Sequence, residues 1–318
     1  MNAELIITNG DNVYMPALLE GVTWDTERTG TPSRLTFEVV QDSTLKIEEG
    51  NAVRFRWKNN NVFYGFIFTV NRDKENILKI TCYDQLRYLK NKDTYWYKNK
   101  TASELLKMIA NDFNLKTGTI DDTGFIIASR KEDNQTLFDI IQNALSLTME
   151  NQKNIFVLYD DFGKIALRNL DNMKLDILID AETAEDYSYS STIDNTFNKI
   201  KLQFSNTETG KRDTYIEQHG ENINKWGVLQ YFDTLQKGEN GVAKAQNLLK
   251  LYNQKMRNLQ IKNAFGDCRV RAGSLIGISL NFGTVKVNNM MLVERCKHTF
   301  SLEEHFMDIT VRGGEFVE

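Results

Sequence analysis

For its first ninety residues the chain repeats one pattern: a short run rich in β-branched and aromatic residues, then a polar turn, about every ten residues. The runs are Glu4–Thr8, Leu18–Trp24, Arg34–Val40, Ala52–Trp57, Val62–Val70 and Ile77–Tyr83. Between them lie Thr29–Pro32, Glu48–Gly50, Lys58–Asn61 and Arg72–Asn76, rich in residues that favour turns. Asn9-Gly10 is a dipeptide favoured in hairpin turns, where the backbone must take a positive φ. This spacing predicts an antiparallel sandwich or barrel. Within Val62–Val70 both alternating sets are largely apolar: Val62, Tyr64, Phe66 and Phe68 on one side, Phe63, Gly65, Ile67 and Thr69 on the other. That strand is expected to be covered on two faces, and one cover could be another subunit.

The period changes near residue 95. Thr101-Ala-Ser-Glu104 reads as a capping box, followed by a helix that buries Leu105, Leu106, Met108, Ile109 and Phe113. A second helix is predicted over Gln135–Thr148. Ile155–Tyr159 and Lys164–Arg168 flank the turn Asp160–Gly163 as a strand pair. Residues 96–180 are therefore expected to form an α+β module.

Beyond it, Tyr187–Thr192 reads as a polar, exposed bridge, and Asn198–Phe204 with Lys211–Glu217 as a hairpin over Ser205–Gly210. A turn at Gly238–Gly241 leads into an amphipathic helix over 242–259, with Val242, Ala245, Leu248, Leu249, Tyr252, Met256 and Leu259 on one face. Lys244, Lys250, Lys255 and Arg257 lie off that face and are expected in solvent, lining a lumen or meeting an acidic partner. Strands follow at Leu259–Asn263, Ser274–Leu280, Met291–Phe300 and His305–Arg312, the last two joined by Ser301–Glu304. The fold expected is mainly β with an α+β insertion. Residues 1–95 form one small antiparallel barrel, and residues 181–318 form a second, into which the helix is inserted.

A net charge of −4 and a pI near 5.6 argue against a chain built to hold nucleic acid. Cys82, Cys268 and Cys296 lack C-x-x-C spacing, which points to reduced thiols in a cytoplasmic setting. No apolar stretch approaches the ~20 residues a membrane span requires, and Met1–Thr8 lacks a basic leader.

Chemistry is sparse. Asp161-Phe-Gly163 sits in a predicted turn without the other kinase motifs. Glu48-Glu49, Asp121-Asp122, Asp160-Asp161 and Glu303-Glu304 all fall in turns, where solvated charges are expected rather than a catalytic pair. Cys296, His298 and His305 could share a strand face as metal ligands, but a fourth ligand is not near, so a hydrogen-bonded His298 is the default. Phosphate-binding loops and nucleophile elbows are absent. The expectation is a protein with no catalytic, cofactor or metal site. Tyr95-Trp96-Tyr97, beside Lys98 and Lys100, could stack on sugars or bases, although interface packing suits such a cluster better.

One resemblance ties these parts together. The matching residues are Ala243 and Ala245 in the helix, Arg271-Ala-Gly273-Ser-Leu-Ile276, Val293-Glu-Arg-Cys-Lys-His298 and the final strand Met307–Val311. Their order resembles the C-terminal part of contractile-tail baseplate hub proteins, the family of the late control protein D group and the hubs of PBSX-type prophages. Thr136-Leu-Phe-Asp-Ile-Ile-Gln-Asn-Ala-Leu145 resembles a helix in the insertion such hubs carry between two barrels.

The resemblance implies a structural, non-enzymatic homotrimer whose six barrels adapt a sixfold tail tube to a threefold central spike. It implies tail tube, spike and other baseplate proteins as partners, with no membrane insertion and no sequence-specific nucleic acid. It also implies assembly in the bacterial cytoplasm and release in a phage or bacteriocin-like particle, with His298 structural. Phe63, Phe66, Phe68, Tyr95, Trp96 and Tyr97 are the candidates for the subunit interface. The alternatives are a tail-associated cell-wall-degrading or carbohydrate-binding protein, which would need a cleft with paired carboxylates, and a tube-end or spike-collar part.

Overall fold

The N-terminal strands are β1 (Ala3–Asn9), β2 (Asn12–Tyr14), β3 (Val22–Glu27), β4 (Arg34–Val40), β5 (Ala52–Trp57), β6 (Asn60–Arg72) and β7 (Ile77–Tyr83). Alternation is what makes them: Leu35, Phe37 and Val39 of β4 and Val53, Phe55 and Trp57 of β5 all point into one core. Gly10, at φ +58°, turns β1 back onto β2, with Asn9 opposite Asn12. The strand expected at Leu18–Trp24 starts only at Val22, and Leu18 instead bridges to Val39. The computed structural model describes residues 2–19, 21–205, 210–235, 239–281, 286–301, 303–313 and 316–317. Gly238, residues 206–209 and Leu302, which belong to expected turns, lie outside them.

The middle of the chain holds β8 (Lys92–Lys100), α1 (Ala102–Asp112), β9 (Thr117–Ile120), β10 (Ile127–Thr136), α2 (Leu137–Gln152), β11 (Phe156–Asp160) and β12 (Ile165–Asn169). The capping box is formed: Glu104 N donates to Thr101 Oγ1 at 3.2 Å and Thr101 N donates to Glu104 Oε2 at 2.8 Å. Leu105, Leu106 and Ile109 of α1 meet Leu137, Ile140 and Ile141 of α2 in a second core.

Then come β13 (Lys174–Asp180), β14 (Asp186–Thr192), β15 (Lys199–Ser205), β16 (Arg212–Gln218), α3 (Gly220–Trp226), β17 (Gln230–Thr234) and α4 (Gly241–Tyr252). The last strands are β18 (Met256–Phe265), β19 (Leu275–Asn281), β20 (Lys286–Phe300), β21 (His305–Arg312) and β22 (Phe316–Val317).

The architecture is mainly β with an α+β insertion. A 14-stranded sheet runs in the order β14-β18-β21-β20-β3-β4-β7-β6-β5-β1-β2, with β19, β13 and β22 branching from β20. Among the described residues this path stays open and does not return on itself. It carries two cores, one under β1–β7 and one under β13 and β18–β21. The two halves meet where Arg295–Phe300 of β20 pair antiparallel with Val22–Glu27 of β3.

Four expectations are corrected. The helix expected over 242–259 ends at Tyr252, and Met256–Phe265 is a strand instead. Met256 and Leu259 fit both periodicities, and pairing with β14 on one side and β21 on the other satisfies the backbone as a strand. The supposed bridge Tyr187–Thr192 is part of β14. β15 and β16 do not join the later strands; with β17 they form a separate three-stranded sheet covered by α4, with its own core of Ile200, Leu202, Leu235, Ala245 and Leu248. Lys244, expected in solvent, is 8% exposed.

Candidate functional site

Arg271-Ala-Gly273 forms the turn before β19, and its chemistry reaches all three parts of the chain. Gly273 takes φ +93°, and a Cβ there would lie 2.2 Å from Val157 Cγ1 of β11, so only glycine fits. Gly273 N donates to Val293 O at 2.7 Å and Ala272 N to Thr26 Oγ1 at 2.9 Å, fixing the turn between β20 and β3. The Arg271 guanidinium then stands 4.1 Å from the ring centre of Tyr159 in β11 and 5.5 Å from that of Trp24 in β3.

Two buried carboxylates face this cation. Asp84 caps the 3-10 turn Gln85–Lys90, accepting from Leu86 N at 3.0 Å through Oδ1, and from Ser33 N at 3.0 Å and Ser33 Oγ at 2.5 Å through Oδ2. Asp160 closes the β11–β12 turn by accepting from Gly163 N at 2.6 Å. Burial, and then the charge of Asp160, lift Asp84 to about 7 against the pull of Ser33 and Arg271. Burial also raises Asp160. Asp161-Phe-Gly163 is thus turn chemistry, as read from the sequence. Asp160 is not the solvated loop charge expected: it is buried, with the turn packed against Tyr64 of β6 and the charge of Arg271 nearby. Asp121 departs in the same way: its Oδ2 accepts from Arg168 Nε at 3.2 Å, Asn169 N at 2.8 Å and Asn172 Nδ2 at 3.0 Å.

Behind the Arg271 turn runs a chain of neutral rings. His298 Nε2 lies 2.8 Å from the carbonyl oxygen of Val270, which can only accept, so this nitrogen carries the proton. Its bare Nδ1 then accepts from His305 Nε2 at 2.8 Å, and His305 Nδ1 faces Cys268 Sγ at 3.9 Å. Burial, and then the neighbouring His305, press His298 down to about 3; burial takes His305 to about 4. Burial raises Cys296 well above an ordinary thiol and Cys268 to about 12. Trp24 and Phe300 stack on His298 at 4.9 and 5.9 Å. Both His298 nitrogens are spent within the protein, which matches the default reading of a hydrogen-bonded strand histidine.

The six interface candidates separate. Phe63, Tyr95 and Tyr97 are buried in the chain's own cores, with Tyr95 Oη donating to Asp112 Oδ2 at 2.8 Å. Trp96 stands out of β8 at 77% exposure, opposite Lys131 of β10. Phe66 and Phe68 are half-buried on the outer face of β6, beside Tyr64, Tyr88 and Tyr83 at 5.5–6.2 Å. Arg87 lies 5.3 Å over Phe68.

Sequence reading missed one more cluster: Lys244 of α4 reaches Glu150 of α2 at 3.3 Å, Glu239 at 3.5 Å and Asp233 of β17 at 3.8 Å. The available signal was a lysine at the junction of a helix face that carries Ala245 and Leu248. Among the described residues no helix is long and apolar enough to cross a membrane.

The family model described as YQBQ-like matches residues 22–312. The Bacillus subtilis (strain 168) protein YqbQ is 30% identical over 308 residues, covering 94% of this chain and 93% of that protein. The phage-like element PBSX protein XkdQ of the same strain is 30% identical over 311 residues, covering 95% and 94%. Among solved structures, the 43 kDa tail protein of prophage MuSo2 from Shewanella oneidensis superimposes with a TM-score of 0.72 at 11% identity, over 97% of this chain and 98% of that one. That last likeness is one of fold.

Proposed function

Because the chain belongs to the YQBQ-like family, we propose that it is a structural hub protein of a phage tail or tail-like bacteriocin, forming a trimeric ring between tail tube and central spike. The observation that carries this reading is a relationship of nearly full length to a phage-like element protein, in a chain that has the fold of a prophage tail protein. The two antiparallel halves, each with its own core, give one subunit two β modules; three subunits would present six to a sixfold tube. We take residues 1–95, 96–180 and 181–318 as its working units. The buried chemistry fits a scaffold: Arg271, Asp84, Asp160 and the histidine pair are used to hold strands together. Of the interface candidates, Phe66, Phe68 and Trp96 are the ones placed to meet another protein, with Phe63, Tyr95 and Tyr97 supporting them from behind. Tube, spike and other baseplate proteins would be its partners, assembled in the cytoplasm before release of the particle.

Light scattering on the eluting peak tests the ring directly. A trimer at micromolar concentration is expected, weakened by Trp96→Ser; a strict monomer, together with tail particles showing no ring at the tube end, would remove the proposal.

A further inference from the structure

The small sheet β16-β15-β17 sorts its charges by face. Its register sets Lys201 between Ile216 and Phe232, and these three point away from α4, since Ile200 and Leu202 point toward it. Lys199 and Arg212 lie on the same outward face, two and four residues away along the ladder. Every carboxylate of the three strands, Asp213, Glu217 and Asp233, is on the helix side. The outward face is therefore basic around an apolar centre, with Ile216 51% and Phe232 53% exposed, in a chain of net charge −4. Lys199, Lys201 and Arg212 make no ion pair among the described residues.

The opposite composition occurs along β13 and the turn after it. Leu178 is 57% exposed on the outward side of β13, flanked by Asp176 and Asp180, with Ile179 turned into the core. Glu182, Glu185 and Asp186 follow at once, so residues 174–186 carry five carboxylates against the single Lys174. Some of this charge is met locally: Asp180 holds Thr183, Asn263 donates to Glu185, and Lys262 lies opposite Asp186. The strip remains acidic around an exposed leucine.

We propose that these two surfaces are the complementary sides of one subunit contact: the basic Ile216–Phe232 face of one copy seats the acidic Leu178 strip of the next. The surfaces differ from one another, so the contact is head-to-tail, the type that closes into rings. This inference rests on the trimer proposed above and names a contact within it. An acidic protein surface suits the basic face better than a nucleic acid. Its centre is one ring and an isoleucine, not the series of aromatic platforms on which bases stack.

The test is a charge exchange read by sedimentation over a dilution series. Lys199→Glu with Lys201→Glu, and separately Glu182→Lys with Asp186→Lys, are expected to weaken self-association by on the order of tenfold or more, because like charges then face each other. All four changes in one chain should restore it, since every contact in the ring is again matched. Circular dichroism identifies any variant that fails to fold; Phe232→Ser then reports on the same face without altering charge, and it too should weaken association. A wild-type monomer would overturn the trimer itself. A wild-type trimer that neither charge variant nor Phe232→Ser weakens would overturn this contact alone. Binding of a fluorescent single-stranded oligonucleotide that is lost in the lysine variant, with self-association unchanged, would assign the face to nucleic acid and likewise overturn it.

Discussion

At Gly273 the left-handed backbone and the approach of Val157 act together, so a methyl group has nowhere to go. Gly273→Ala is expected to cost about 1–3 kcal/mol, seen as a lower urea midpoint with an unchanged slope. The histidine pair makes a second residue-level prediction. Both rings titrate in the fold at about 3 and about 4, below the 6.5 of an unperturbed ring. Between those values the unfolded chain holds protons that the native chain refuses, so this contribution is complete above pH ~6.5 and declines as the pH falls toward 4. Asp84 works in the other direction: raised from 3.8 to about 7, it binds its proton first in the native state, and its contribution grows as the pH falls through that interval. Comparing wild type with His305→Phe cancels Asp84, which both share. The wild-type advantage in urea midpoint should shrink between pH ~7 and pH ~4.5; an advantage that grew would contradict the neutral-ring account. Sequence alone exposed the Arg271-Ala-Gly273 motif and His298. It could not show their partners, because Trp24, Tyr159 and Val157 come from distant strands.

At the scale of elements, α4 is tied to α2 by the Lys244–Glu150 ion pair and by Asn247 Nδ2 donating to Glu150 O at 3.3 Å. Lys244→Met would leave Glu150, whose pKa burial already raises, without its cation. The expected loss is roughly 3 kcal/mol, with faster amide exchange along α4, and Glu150→Gln in the same chain should return part of it. Rescue by the second change separates charge pairing from packing. The same elements show what periodicity can reveal. Arg34–Val40, Ala52–Trp57 and Ile77–Tyr83 were legible to the residue, since one face is wet and the other dry. β8 and β10 were not, because a two-stranded ribbon needs only Tyr95, Tyr97, Ile127 and Glu132 inside and looks polar elsewhere. Helix α4 was overextended because Met256 and Leu259 continue its stripe by coincidence of spacing.

For the molecule as a whole, the cation at residue 271 lies over a ring from each of the other two parts, Trp24 and Tyr159. Arg271→Met should leave Asp84 and Asp160 facing each other uncompensated. Exchange is expected to rise together in Val22–Glu27, Phe156–Asp160 and Leu275–Asn281, with a loss of roughly 3 kcal/mol. Protection lost in one strand alone would mean that the turn is local furniture and not a clamp.

The pairing of β3 with β20 also dictates when this protein can come into being. A ribosome releases Val22–Glu27 long before it has made Arg295–Phe300, so one side of β3 waits while everything between them is synthesised. Until then a nascent chain offers neighbours an unclosed ladder, and a chain truncated before Arg295 should be insoluble. Completion of synthesis thereby becomes the licence for folding: only a chain that has reached Phe300 can close the ladder between its two halves.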